Sequence, residues 1–269
     1  MSIKHYYVAG SFYPENPDVL QSEIAKLFRN ADEINTKDIK KFHGIVSPHA
    51  GYIYSGQVAA YGYRLIQDNL EKISKTFILL CPSHFEYFKG VAVGMFDEFE
   101  TPIGNLKVNI NLAQKLLDKY PDNFINSPII FEKEHSLETQ LPFIRYISDK
   151  IQILPLIYGE TNVIEIGNIL SKISDEEDTF FIVSTDLSHY EEYEKACKID
   201  ADTIQAFLSK DIKTITTTMG ACGTHPWLSL TQISIKKNWE VKLLKYLNSG
   251  DTAGGKERVV GYGSILYYS

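Results

Sequence analysis

Residues 77–84 read FILLCPSH, an apolar run that ends in a proline, a serine and a histidine. Two other stretches have the same form, GIVSPH at residues 44–49 and FFIVSTDLSH at residues 180–189. Such short, continuously apolar runs are typical of strands buried on both faces of a parallel sheet. Ligands bind beyond the carboxyl ends of such strands. We therefore predict that His49, His84 and His189 lie at one edge of a sheet, where they could share a pocket.

Helical patterns alternate with strand patterns along the chain, without an evident linker or repeat. The predicted helices are Asp18–Arg29, Gln57–Leu70, Leu137–Ile147, Ile164–Ile173, Tyr193–Leu208 and Trp227–Lys236. The predicted strands are Phe42–Val46, Thr76–Leu80, Gln152–Ile157, Thr179–Ser184, Val241–Leu247 and Val259–Tyr267. This order predicts an α/β fold, a layered single domain over residues 1–269 with a largely parallel or mixed central sheet flanked by helices.

Composition narrows the class of protein. The chain has 269 residues, of which 44% are hydrophobic and 23% are charged, as in ordinary globular domains. No apolar run approaches the roughly 20 residues that span a bilayer, and MSIKHYYVAGSFYP at the start has no apolar signal-peptide region. We therefore expect a soluble, cytoplasmic protein. The formal net charge of −7 disfavours nucleic acid as a partner.

The three cysteines are Cys81, Cys197 and Cys222, too few and too scattered for a disulfide framework. Cys222 lies in GACGTHP, a glycine-containing loop that leads into a predicted helix. The positive end of a helix favours the thiolate, the form that binds metals. A small buried cysteine is an equally good interpretation of Cys222 by itself. Cys81 falls late in a strand and Cys197 within a helix, so neither is assigned to a site.

Two further clusters carry acid and base groups. Asp186 precedes His189 by three residues, a spacing at which the carboxylate could orient the imidazole for proton transfer. Glu134, His135 and Ser136 precede an apolar helical pattern. His135 is therefore a candidate acid–base residue, although capping of the helix explains it about as well.

Seven motifs span nearly the whole chain, namely AGSFYP (9–14), SPHAGYIYSG (47–56), CPSHF (81–85), TPIGN (101–105), EHSLETQLPF (134–143), VSTDLSHY (183–190) and CGTHP (222–226). Together they resemble the Memo family, which in prokaryotes is also named AmmeMemoRadiSam system protein B. They occur in that family's order.

The resemblance implies a fold similar to class III extradiol dioxygenases, which are non-haem iron enzymes. Carried over by motif, it implies that His49, His84 and Cys222 bind a metal, with Asp186 and His189 beside it as acid–base residues. Those dioxygenases hold iron with two histidines and a carboxylate, whereas this chain offers a thiolate, which disfavours ring cleavage. Two nitrogens and a sulfur suit iron or copper, and also zinc.

Three functions fit the sequence. The favoured one is a metal-dependent redox or oxygen-handling enzyme acting on a small-molecule or peptide ligand, with protein partners from the AmmeMemoRadiSam system and without a membrane. The second is a binding module that holds a peptide or phosphorylated ligand in a non-catalytic pocket. The third is a cysteine hydrolase using Cys222 with His225 or His189, which is the weakest because no acid is placed to orient His225.

Overall fold

A computed structural model describes residues 2–218 and 220–269. Within these residues the strands are β1 (Ile3–Lys4), β2 (Phe42–Ser47), β3 (Thr76–Pro82), β4 (Val91–Val93), β5 (Glu98–Phe99), β6 (Leu106–Val108), β7 (Phe124–Ile125), β8 (Gln152–Tyr158), β9 (Phe180–Ser184), β10 (His189–Glu191), β11 (Glu240–Asn248) and β12 (Val259–Tyr268). The α-helices are α1 (Pro17–Asn30), α2 (Tyr52–Asp68), α3 (Ile110–Lys119), α4 (His135–Glu138), α5 (Leu141–Ile147), α6 (Val163–Glu176), α7 (Tyr193–Leu208), α8 (Ile212–Thr218) and α9 (Thr224–Lys236). Short 3-10 helices cover Leu70–Lys72, Pro128–Phe131 and Ser249–Asp251.

The centre of the sheet consists of the parallel strands β8, β3, β9 and β2, in that order. The three apolar runs that end in histidines supply β2, β3 and β9. Antiparallel β12 continues the sheet beyond β2, and antiparallel β4 pairs with β8. The sheet is therefore mixed, and the predicted α/β class is confirmed.

The two faces of the sheet are covered by different helices. One apolar cluster joins Ile45, Leu79 and Ile182 to side chains of α1, α2 and α5. The other joins Val46 and Leu80 to side chains of α3, α6, α7 and α9. Because successive strand residues point to opposite faces, strands buried on both sides must be apolar at nearly every position. The continuous apolar runs are the sequence signature of this three-layer packing.

Two predicted helices differ most from those observed, and α9 also begins at Thr224, three residues before its predicted start. Helix α2 begins at Tyr52, five residues before the predicted start, with Gly51 at the N-cap position. The predicted helix Leu137–Ile147 is instead two helices, α4 and α5, with a break at Thr139 and Gln140. Pro142 has no N–H to donate back to residue 138, so one continuous helix would lack that hydrogen bond.

In the part of the chain that the structure describes, no helix combines the length and the hydropathy that a bilayer crossing requires.

Candidate metal centre

The predicted site residues follow the ends of neighbouring parallel strands. His49 comes two residues after β2, His84 two residues after β3, and Asp186 two residues after β9. The register pairs Ser47 with Ser184 across β2 and β9, so these strands end level with each other. The loops therefore meet at one edge of the sheet, as expected for a ligand site in an α/β fold.

The ring of His49 is held in one tautomer. Its Nδ1 lies 2.9 Å from the hydroxyl oxygen of Ser184. That hydroxyl donates its only proton to the backbone carbonyl of Ser136 at 2.6 Å, and it also accepts from Gln140 Nε2 at 3.0 Å. Ser184 must therefore accept from His49, which places the proton on Nδ1. The Nε2 lone pair of His49 remains free to bind a metal.

A buried carboxylate fixes the second histidine. Glu134 accepts hydrogen bonds from His84 Nδ1 at 2.8 Å and from the His84 backbone N–H at 2.7 Å. It also accepts from the backbone N–H of Ser136 at 2.9 Å. Burial alone would raise the pKa of Glu134, but these hydrogen bonds outweigh it and hold the pKa at about 2. Glu134 is therefore a carboxylate, and it leaves Nε2 of His84 for a ligand.

Cys222 is positioned by contacts to the loop after β9. Its Sγ accepts from the backbone N–H of Asp186 at 3.3 Å, and its own N–H donates to the Asp186 carbonyl at 3.3 Å. The neighbouring Gly223 N–H donates to Thr185 Oγ1 at 2.8 Å. A Cβ on Gly223 would lie 2.5 Å from Thr185 Cβ, so only glycine fits this close approach. These contacts bring Cys222 beside the two histidines.

The ligand atoms of His49, His84 and Cys222 all lie within 4.8 Å of one another, and Cys222 Sγ is 3.3 Å from His49 Nε2. A tetrahedral metal about 2.1 Å from nitrogen and about 2.3 Å from sulfur holds such atoms roughly 3.5 Å apart. The donor types and their spacing therefore fit a metal ion.

Burial shifts the pKa of two of these residues, His49 and Cys222. Burial, and next the neighbouring His84, lower the pKa of His49 to about 3, so the ring is neutral. Burial, followed by the Asp186 carboxylate, raises the pKa of Cys222 to about 12. Burial thus outweighs the effect of the helix N-terminus, which we expected to favour the thiolate. A bound cation supplies the positive charge that deprotonates such a thiol.

A second possible ligand set, His84, Glu134 and His135, shares His84 with the first. In this set Glu134 is already occupied by the hydrogen bonds from His84 and Ser136 described above. Its oxygen is also 3.7 Å from Nδ1 of His135. We favour the set with Cys222, because Glu134 then acts as the partner that orients a metal-binding histidine.

The three predicted acid–base residues, His135, Asp186 and His189, have different surroundings. The ring of His135 packs against those of His84 and His49, with centroids 4.4 and 5.5 Å apart. Asp186 is buried and accepts a hydrogen bond from the His49 backbone N–H at 2.8 Å. His189 is exposed in β10, and in the described residues no hydrogen bond joins it to Asp186. The catalytic roles of these three residues stay predictions.

Sequence reasoning missed the residues that orient the ligands, namely Glu134, Ser184 and Gln140. Glu134 was visible in the EHSLE motif but was interpreted only as part of a helix start. Only the structure shows that Glu134 is 3% exposed, and an acid so buried requires hydrogen-bond partners. Ser184 ends an apolar strand, and nothing local indicates its contact with His49.

The comparisons with known proteins concern the whole chain. A family model described as Memo-like protein matches residues 4–266. The chain belongs to the Memo family. A MEMO1 family protein of Methanosarcina mazei is 34% identical over 278 residues, covering 99% of each chain. One from Nitrosopumilus maritimus is 34% identical over 284 residues, covering 98% of this chain and 99% of the relative.

A solved structure resembles this Memo-family chain in fold. It is the crystal structure of an uncharacterized protein from Escherichia coli K12, with a TM-score of 0.55 and 13% sequence identity. The match covers 84% of this chain and 99% of that one. At this identity the likeness concerns the fold alone.

Proposed function

We propose that this Memo-family protein binds iron or copper, with zinc as the third possibility, through His49, His84 and Cys222. The proposed activity is that of a metal-dependent redox or oxygen-handling enzyme. The observation that carries the proposal is that two imidazole lone pairs and one sulfur, each fixed by neighbouring hydrogen bonds, converge within 4.8 Å. Fixed tautomers and hydrogen-bonded outer partners are the hallmark of metal-binding histidines.

The site fits a catalytic ion better than a structural one. Structural sites have four protein ligands, whereas catalytic sites have three and an open position. The His84 side chain is 27% exposed, so a reactant can approach from its side. Iron or copper bound here would supply electron transfer and a position for the reactant.

Residues of the chain itself would accept the proton that a reactant at the metal loses. Burial, and next the two neighbouring histidines, lower the pKa of His135 to about 4, so its ring is neutral at pH 7. A ring with this low pKa holds a proton only weakly, so His135 would take a proton from a reactant at the centre and pass it on without keeping it. His189, exposed at the rim, is the second candidate for this role. Asp186 would position the His49 ring, because its carboxylate accepts a hydrogen bond from the His49 backbone N–H.

The test is elemental analysis of protein purified without added metal. We expect close to one equivalent of iron or copper in the wild type, and loss of most of it in Cys222→Ser. Serine nearly preserves the size of the side chain but removes the soft ligand, which should weaken binding by about 10–100-fold or more. Cys197→Ser is the matched control, because Cys197 lies in α7 and contacts Asn248.

Equal metal content in the two serine variants would remove Cys222 from the site. Wild-type protein that neither retains nor takes up any of the three metals would contradict the proposed function as a whole.

A binding module is the second candidate, and the exposed aromatic residues near the centre favour it. Phe85 is 55% exposed and faces the ring of His135, while Tyr190 is 64% exposed and adjoins His189. Exposed aromatic side chains are enriched at interfaces between proteins and so suit binding of a peptide. Ligand binding that persists after removal of the metal, without any turnover, would support this function over the enzyme.

A further inference from the structure

A cleft of about 330 Å³ is lined by Cys222, whereas His49 and His84 are not among the residues that line it. Its walls come from three segments, at the end of β3 and just after it, at the end of β8, and at the start of α9. The lining residues are Pro82, Ser83, Glu86, Tyr87, Phe88, Tyr158, Gly159, Glu160, Cys222, His225 and Pro226. All three segments lie at the carboxyl edge of the sheet. The volume is at the lower end of the range for small-molecule sites.

The walls of this cleft are already held together. Glu160 N–H donates to the Phe88 carbonyl at 2.8 Å, and Gly90 N–H donates to the Glu160 carbonyl at 2.9 Å. A Cβ on Gly159 would lie only 2.2 Å from the Phe88 carbonyl oxygen, so glycine is required for this close contact. A ligand would therefore meet a preformed cleft and would not have to order it.

The polar lining of the cleft is acidic. Glu86 and Glu160 both line it, and within the described residues neither carboxylate forms an ion pair. The hydroxyl of Tyr87 donates to Glu160, and this hydrogen bond raises the pKa of Tyr87. His225 is the basic residue among those lining the cleft. This lining favours a positively charged ligand over an anion.

Apart from Ser83, the rest of the lining is apolar or aromatic, and it includes Phe88, Tyr87, Pro82 and Pro226. Aromatic faces beside carboxylates are favourable surroundings for ammonium groups. We infer that the cleft binds a small organic cation, an amine with an apolar or aromatic body, whose charge lies near Glu86 and Glu160. Its body would extend toward Cys222.

This inference rests on the proposed function, because it assigns the cleft to the reactant of the metal centre. Cys222 links the cleft to the metal centre, because it lines the cleft and is also a proposed metal ligand. An amine bound in the cleft would lie next to the sulfur ligand, and its presence should alter the surroundings of the metal.

The experiment compares three probes of similar shape, benzylamine, benzyl alcohol and benzoate, by calorimetry on the full chain at pH 7. We expect benzylamine to bind about tenfold more tightly than benzyl alcohol, and benzoate most weakly. Glu86→Gln and Glu160→Gln should each weaken benzylamine binding by about three- to fivefold, because each removes one exposed carboxylate. Glu71→Gln is the control, since it removes the same charge before β3 begins, at the opposite edge of the sheet.

Equal affinities for the three probes, or unchanged benzylamine affinity in the Glu86→Gln/Glu160→Gln double variant, would overturn the inference. Metal content is measured in the same samples, and the visible absorption spectrum of protein loaded with cobalt(II), which has d–d bands where zinc and copper(I) have none, is recorded with and without benzylamine. Binding without a spectral change would separate the cleft from the metal centre and refute its assignment to the reactant. Absence of metal would contradict the proposed function alone, while the probe series would still decide whether the cleft selects cations.

Discussion

Replacing Glu134 by glutamine tests the proposed orientation of His84. The carboxylate accepts from three donors, two of them on His84 and one on Ser136. An amide has one oxygen and one NH₂ group, so in Glu134→Gln a donor must face another donor in a buried place. The variant keeps the size of the side chain but removes the negative charge and one acceptor.

Two effects of known size follow. Leaving a buried donor unpaired costs about 1–3 kcal/mol of unfolding free energy. Loss of an outer partner of a metal-binding histidine typically weakens metal binding by about 10–100-fold. The affinity should fall because a neutral amide stabilises the Nδ1–H tautomer of His84, and the positive charge that a bound metal draws onto the ring, less than a carboxylate does.

The assay is a competitive titration of the metal against a chromogenic chelator, with the unfolding midpoint measured in urea on the same samples. Glu132→Gln is the matched control, because Glu132 is exposed two residues away in the same segment. A folded Glu134→Gln protein that binds metal within about twofold of Glu132→Gln would refute the reasoning. Glu134 would then be structural only.

Three further predictions concern other parts of the molecule. His189→Ala should slow turnover while metal content stays at the wild-type level, and parallel loss of metal would make His189 a ligand. Gly223→Ala should destabilise the fold by about 1–3 kcal/mol and weaken metal binding, because its methyl group meets Thr185 and displaces Cys222. An unfolding midpoint and a metal affinity of Gly223→Ala equal to those of the wild type would contradict this prediction. Burial, with two nearby lysines, lowers the pKa of His43 from 6.5 to about 4. The unfolded chain therefore binds the extra proton first, and the unfolding free energy should decrease by up to about 3 kcal/mol as the pH falls from 6.5 to 4. In denaturation curves His43→Phe should remove this part of the pH dependence, and identical slopes would show that His43 does not titrate as described.

Several features of the fold follow from the sequence alone. The apolar runs ending at His49, His84 and His189 predicted three strands, because burial on both faces demands apolar residues at almost every position. Two of these runs place a ligand histidine directly after a strand. Parallel strands then bring both loops to one edge, and this is why a short local pattern could predict part of a site. For Cys222 the sequence left burial and metal binding equally open.

Other features depend on contacts between distant parts of the chain. His84 and Glu134 are 50 residues apart, and His49 and Ser184 are 135 residues apart. No local periodicity encodes such pairs, because each is made by the packing of one loop against another. The sequence therefore determined which donor atoms are available, whereas the tertiary structure decided which nitrogen of each histidine carries the proton. That choice follows from hydrogen bonds that exist only when the strand ends, α4 and the loop before α9 are packed together.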